Sequence, residues 1–459
     1  MGGDTERDRP VPEARYWNPS IETMPWGDVR AMQREKLQRQ LDYLVARSGF
    51  YQRKLAGAGV EPRSLGRLDD LRHLPFTTKE ELRESQVESP PLGEHAAAGL
   101  SDVIRIHSSS GTTGRPSYVG VTAHDRDVWT ETVSRVYYCE GVRREDIVVH
   151  GFGLGFFVGG LPLKDAIENI GATFIPIGTG ASDRLITSIR DLGGTVLTCT
   201  PSYANYLAEH VRARFEIEPS ELGLRRILLG AEPGGGIPAV RERLSEDYGA
   251  FVTESLGNAD LIPTYAANCD ALDGNHFLAP DFMILEVVEP ETGDPLELED
   301  DVEGELVATH IDRDCVPLVR FRVRDRVVVK TSPCPCGRTS PRFTCVGRTD
   351  DMLIVAGVNV WPSALKDLIT SLHPRTTGAM QVLLSSPPPR VDPPLRVHVE
   401  AGPNVGDFQE LKRELEGLIR DRLIVKAAVE VVPPDSLPRF EMKAQLIRKV
   451  YEEVEVGRS

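Results

Sequence analysis

Residues 108–117 read Ser-Ser-Ser-Gly-Thr-Thr-Gly-Arg-Pro-Ser, directly after the β-branched run 103–106. This is the densest group of anion-binding chemistry in the chain. Gly111 and Gly114 let the backbone curl and expose consecutive amides, Ser108, Ser109, Ser110, Thr112 and Thr113 add hydroxyl donors, and Arg115 adds charge. Such a loop can cradle a polyphosphate, although a Ser/Gly/Thr tract taken alone is also the composition of an ordinary surface loop. The GxxxxGK[ST] form of phosphate loop does not occur.

A second group consists of soft ligands. Cys269 and His276 are separated by six residues, and Cys334 and Cys336 by one, in a turn containing proline and glycine. Three thiolates and one imidazole supply a closed tetrahedral shell for a structural zinc ion, with no position left for catalysis. The alternative is a set of buried free thiols. Cys139, Cys199, Cys315 and Cys345 have no assigned role.

The elements that must position these groups fall into three styles. Residues 25–48 carry Met32, Leu37, Leu41, Leu44 and Val45 at helical spacing, which predicts an amphipathic docking helix. From about Val103 the β-branched runs VIRIHSSS, DIVVHGF, ATFIPI, TVLTCT, RRILLGAE and FVTESLG alternate with helical segments, which predicts an α/β domain with ligands bound beyond the strand ends. After Gly274, runs such as FMILEVVEP, GELVATHI and RDRVVVK, separated by Gly, Pro and Asp, predict an antiparallel β subdomain. Beyond Gly347 the pattern is helix 362–372, strand 380–384, strand 395–400, helix 407–422 and strand 429–432, with SSPPPRVDPP as a stiff hairpin loop. The expected fold class is therefore α/β: a large N-terminal α/β domain over residues 1–347, including the antiparallel β subdomain, joined by a hinge to a small C-terminal α+β domain over 348–459.

Composition excludes several classes. A net charge of −16 argues against nucleic acid as a partner, since phosphate-backbone binding rests on clustered Lys and Arg. The most apolar stretch, 147–163, is interrupted by His150, Pro162 and five glycines, so it reads as a buried strand and loop and not as a membrane span. Seven cysteines without a secretory pattern argue against a disulfide framework. Both termini read as loose ends without targeting signals, and the expected location is cytoplasmic.

The loop SSSGTTGRPS resembles the phosphate-binding loop of the acyl-adenylate-forming superfamily. The rest of the chain is similar to its phenylacetate-CoA ligase branch through YWNPSIETMP, GFGLGFFVGGLP, GAEP, RFRVRD, GRTDDMLIVAGVNVWPS and PRFEMKAQ. The resemblance implies ATP, Mg2+ and CoA as cofactors and co-substrates, a small aromatic carboxylic acid as substrate, and a structural zinc ion on the Cys/His set. It implies that Lys443 bridges the acyl carboxylate and the α-phosphate, that Asp325 binds ribose, that Arg348 joins the site, and that Asp350 is the pivot of the hinge. Gly230, Ala231 and Glu232 would admit adenine, and His150, Phe152, Phe156 and Phe157 would line the acyl pocket. Relatives carry a magnesium-binding glutamate where SLGNAD stands here, at residues 255–260; Asp260 is the nearest carboxylate able to substitute. Transfer to a carrier protein, or to a small-molecule amine or hydroxyl, would use the same adenylate, and a regulatory protein that only binds nucleotide is the alternative from another class. A homodimer is expected.

Overall fold

The computed structural model describes residues 15–61, 67–109, 117–440 and 445–451. Near the start, α1 (Pro19–Glu22), α2 (Trp26–Arg47) and α3 (Gly49–Gly57) lead to α4 (Lys79–Glu88). Helix α2 buries Leu37, Leu41 and Leu44 as the spacing predicted, while Met32 and Val45 are only half-buried; Val29 is buried too, and with it Gln33 and Gln40, whose amides bond backbone carbonyls of Pro280 and Arg313. The Gln40 amide is paired on both sides, with Arg313 N donating back to its Oε1, so its burial costs little.

The α/β part starts one strand later than its sequence pattern suggests. Strands β1 (Val103–Ser108) and β2 (Tyr118–Thr122) form a separate antiparallel pair, with Ser108 opposite Tyr118. VIRIHSSS is thus the first arm of a hairpin, not a member of the parallel sheet. A continuous apolar run does not reveal which partner a strand will choose.

Helix α5 (Ala123–Cys139) then opens a regular alternation: β3 (Ile147–His150), α6 (Leu161–Ile170), β4 (Thr173–Ile175), α7 (Ser182–Leu192), β5 (Val196–Cys199), α8 (Pro201–Phe215), β6 (Arg226–Leu229), α9 (Pro238–Tyr248) and β7 (Phe251–Leu256). These strands are parallel in the order β4-β3-β5-β6-β7. Strand β5 is buried along its length, as expected where helices cover both faces.

At β7 the same sheet turns antiparallel. It continues through β8 (Ala266–Asn268), β9 (Asn275–Phe277), β10 (Met283–Val288), β11 (Pro295–Leu296), β12 (Glu303–His310), β13 (Phe321–Lys330) and β14 (Arg342–Arg348), in the spatial order β7-β8-β9-β14-β13-β12-β10-β11. The expected α/β domain and β subdomain are therefore one sheet of twelve strands.

The C-terminal part has its own core. Strands β15 (Leu353–Val355) and β16 (Val358–Val360) pair as a ribbon, followed by α10 (Pro362–Thr370), β17 (Thr376–Leu384), β18 (Arg390–Val391), β19 (Leu395–Ala401), α11 (Phe408–Leu423), β20 (Ala427–Val432) and β21 (Ile447–Lys449). The sheet order is β20-β19-β17-β21, with Leu365, Ile369, Val382, Val397, Leu411 and Leu415 packed together. The proline-rich tract is not a plain hairpin loop, because its Arg390–Val391 segment pairs parallel with β15. Among the described residues no helix is long and apolar enough to cross a membrane.

Candidate active site

The phosphate loop is stitched at both ends. Ser109 N donates to Ser117 O at 3.0 Å and the two hydroxyls lie 2.8 Å apart, so the loop leaves β1 and returns to β2 through a closed neck. Ser108 Oγ is buried beside them and donates to Ser109 O. The expected loop residues Ser110, Gly111, Thr112, Thr113 and Gly114 lie outside the described residues, as does Lys443.

Beneath the neck stands a lysine without an assigned role in the sequence reading. Thr78 caps α4 through a capping box with Glu81: Glu81 N donates to Thr78 Oγ1, and Thr78 N donates to Glu81 Oε2 at 2.8 Å. That fixes Lys79 as the first helical residue. Its ammonium donates to Ser109 Oγ at 3.0 Å and forms an ion pair with Asp260. Ser117 Oγ donates to the other carboxylate oxygen of Asp260 at 3.3 Å, and Asp260 N is held by Asn258 Oδ1. Asp260 is 5% exposed, so a charge there requires a partner, and Lys79 supplies it. The carboxylate expected to substitute for a magnesium ligand is thus engaged in holding the foot of the loop.

Across the sheet, β6 ends and the chain turns through Gly230, Ala231 and Glu232. Ala231 has φ +71°, a left-handed conformation uncommon for a residue with a Cβ. Glu232 accepts from the amide of Ser202 at 2.7 Å, in the first turn of α8, and so fixes the turn to a helix N-terminus.

Asp325 and Asp350 meet on the one guanidinium of Arg348. Asp325 on β13 is the register partner of Arg348 on β14. Arg348 Nη1 donates to Asp325 Oδ1 at 2.8 Å, while Nε and Nη2 donate to both oxygens of Asp350 at 2.9 Å. Three residues singled out separately in the sequence therefore form one cluster where β14 leaves the large sheet.

The four aromatic-segment residues divide into two pairs. His150 is fully buried, hydrogen-bonded to Thr198 Oγ1 at 3.0 Å, with the rings of Phe152 and Phe174 at 5.6 and 5.2 Å. Burial holds its imidazole down at about 4, so it is neutral at physiological pH. Phe156 and Phe157 are 50% and 37% exposed and turn toward β1: Phe156 O accepts from Ser108 N, and the Phe156 ring lies 5.8 Å from Tyr118. They flank the neck of the loop, while Phe152 and Phe174, both half-buried, pack on the buried ring of His150.

The soft-ligand set converges. Ligand atoms of Cys269, His276, Cys334 and Cys336 all lie within 4.8 Å of one another, and all four residues are buried. Cys269 Sγ is 3.6 Å from Cys334 Sγ, and Cys336 Sγ is 3.2 Å from His276 Nε2. Burial would lower the His276 pKa, but hydrogen bonding of its ring to the sulfurs of Cys334 and Cys336 as acceptors raises it. Gly337, at φ +83°, lets Tyr16 approach, and Tyr16 OH donates to Cys336 O at 2.8 Å. A Cβ at Gly337 would lie 2.5 Å from that hydroxyl, so a larger residue there would displace the Tyr16 side chain from this contact.

Comparison with known proteins places this geometry. Residues 42–310 match the AMP-binding enzyme family and residues 357–449 match the AMP-binding enzyme C-terminal domain. A phenylacetate-coenzyme A ligase of Thermus thermophilus is 35% identical over 443 residues, covering 93% of this chain and 97% of the relative. A crystal structure of 2-hydroxyisobutyryl-CoA ligase in the postadenylation state with 2-HIB-AMP superposes with TM-score 0.89 at 27% identity, covering 99% of this chain and 97% of the other. The same ligase with 2-HIB-AMP and CoA in the thioesterification state gives 0.72 at 28% identity, covering 100% and 98%. The chain belongs to the AMP-binding, acyl-adenylate-forming enzyme family, in its phenylacetate-CoA ligase-like branch of acid-CoA ligases.

Proposed function

We propose that this enzyme joins a small aromatic carboxylic acid to CoA in two steps on one site. In the first, a carboxylate oxygen attacks the α-phosphorus of ATP, the bond to the β-phosphate oxygen breaks, and pyrophosphate leaves. In the second, the CoA thiol attacks the acyl carbon and AMP departs. The observation that carries this reading is that the Gly230–Ala231–Glu232 turn and the Asp325–Arg348–Asp350 cluster stand on one mixed sheet, while the neck of the loop, on the separate β1–β2 pair, is tied through Ser117 and Lys79 to Asp260 just beyond β7 of that sheet.

The roles follow from the chemistry of each group. Loop amides and hydroxyls hold the phosphates, and Mg2+, when bound, would supply further neutralisation of pyrophosphate charge. Asp325 is acceptor-only when ionised, which suits ribose hydroxyls. Lys443 brings a cation to the carboxylate and α-phosphate, and Asp350 pivots the C-terminal domain, residues 348–459, against residues 1–347. The neutral His150, with Phe152 and Phe174 tilted against it, forms an aromatic group of the kind that lines an aryl pocket. The Cys269–His276–Cys334–Cys336 set fits a structural zinc ion, which would tie the turn holding Cys334 and Cys336 to β9.

ATP-pyrophosphate exchange without CoA, across phenylacetate, benzoates, hydroxy- and aminobenzoates, 2-hydroxyisobutyrate and short fatty acids, tests the reading. Strong exchange with an aryl acid supports it. Exchange with only the aliphatic acids refutes the aryl assignment, and exchange with none refutes adenylation.

A further inference from the structure

Four residues before Lys443, the chain is clamped by a carboxylate pair from two different parts of the molecule. Glu400 on β19 is completely buried and accepts from Arg439 Nη1 at 2.9 Å and Nη2 at 2.7 Å, as well as from Leu437 N and Thr377 Oγ1 at 2.9 Å each. All of these partners lie in the C-terminal part. The remaining guanidinium edge points outward: Arg439 Nε donates to Glu209 Oε2 at 3.0 Å, and Glu209 is on α8 of the large domain. A second contact runs the same way, from Arg243 on α9 to the carbonyl of Thr377.

The acceptors of Arg439 are of two kinds that behave differently if the domains move: Glu400, Asp435 and the carbonyl of Leu437 belong to the C-terminal domain, and Glu209 to the large one. Its bidentate bond to Glu400 is internal to the C-terminal domain and survives any rigid rotation of it. The bond to Glu209 crosses between domains and exists in one arrangement only. That arrangement resembles the postadenylation state of 2-hydroxyisobutyryl-CoA ligase, since the TM-score falls from 0.89 to 0.72 at nearly equal coverage when the comparison is made with the thioesterification state.

We propose that Glu209 is a latch which, through Arg439, captures the C-terminal domain in the adenylate-forming arrangement and releases it before CoA is used. This rests on the two-step reaction proposed above. The latch acts by differential contact, since Glu209 touches the C-terminal domain in one state and not the other.

The test separates the half-reactions in Glu209→Gln, Glu209→Lys and Glu209→Asp. Glu209 is 34% exposed in its side chain, so these variants keep the fold. With phenylacetate as the acid, ATP-pyrophosphate exchange should fall about two- to fivefold in Glu209→Gln, the size of a partly exposed ion pair, and further in Glu209→Lys. Glu209→Asp should restore much of the loss. CoA thioester formation from preformed phenylacetyl-AMP should be unchanged or faster in all three. Small-angle scattering of the unliganded chain gives an arm independent of the acid: Glu209→Lys should broaden the interdomain distances, Glu209→Asp should not. Equal losses in both half-reactions, no change in exchange, or unchanged scattering for Glu209→Lys would each overturn the latch. Lys443→Ala is the separate control: if it exchanges like the parent, the assignment of the lysine fails, while the scattering result still decides the latch.

Discussion

Replacing Lys79 by Met probes the foot of the phosphate loop without touching the loop itself. The substitution keeps the apolar stem, removes the cation, and strands the Asp260 carboxylate, which is 5% exposed, with only the hydroxyl of Ser117 as a side-chain donor. Breaking a fully buried pair by deleting one partner costs about 3–5 kcal/mol. Lys79 is 23% exposed, so water can reach the vacated place and the cost is discounted to about 2–3 kcal/mol. With an unfolding entropy of about 2.1 cal/mol/K per residue, the 459-residue chain has about 1 kcal/mol/K in total, so the melting midpoint should fall by about 2–3 °C. Differential scanning fluorimetry without ligands reads this directly. Adding Asp260→Asn to Lys79→Met should recover part of the loss, because no uncompensated charge then remains. A shift below about 0.5 °C in Lys79→Met, or a double variant less stable than the sum of the single ones, would refute the claim that this pair braces the loop.

Other expectations follow from groups already described. Purified enzyme should carry one zinc per chain by plasma mass spectrometry, and Cys334→Ser with Cys336→Ser should abolish it and destabilise the protein by several kcal/mol, whereas parent protein purified without chelators and free of metal would refute the zinc assignment. Lys443→Ala should slow pyrophosphate exchange by about 100-fold or more while leaving the melting curve unchanged, since it removes a charge contact made in the transition state. Burial pushes the Glu140 carboxyl up to about 8 from its ordinary 4.5, so the folded chain keeps a proton that the unfolded chain has lost. Stability should therefore decline as pH rises from about 4.5 to about 8, by roughly 1.4 kcal/mol per unit for this group, and Glu140→Gln should flatten that slope in denaturant titrations.

How far the sequence could be read depended on whether a residue carried its meaning locally. The Cys/His set was legible because its four residue types are individually uncommon and jointly suggest one chemistry, and the fold brings them within 4.8 Å. Asp325, Arg348 and Asp350 were legible as pieces of two segments, though their union on one guanidinium depends on the β13–β14 register. Lys79 was not legible, because a lysine at the start of a helix looks like any solvated surface charge and its partner Asp260 is 181 residues away. Arg439 was hidden for the same reason: its meaning comes from Glu400 and Glu209, which arrive from a strand and a helix of different domains. Hydrophobic periodicity located α2 and the parallel strands well. It could not tell that Val103–Ser108 pairs with a neighbouring hairpin arm, since burial pattern reports exposure and not partner.

The central claim, that the acid is activated as a mixed anhydride with AMP, is tested most directly by following oxygen. Acid labelled with oxygen-18 in its carboxylate, chosen by the exchange panel, is turned over with ATP and CoA, and the products are analysed by mass spectrometry. Adenylation transfers one labelled oxygen to the phosphate of AMP and none to pyrophosphate. Label in inorganic phosphate with ADP as the nucleotide product, or unlabelled AMP, would contradict the account.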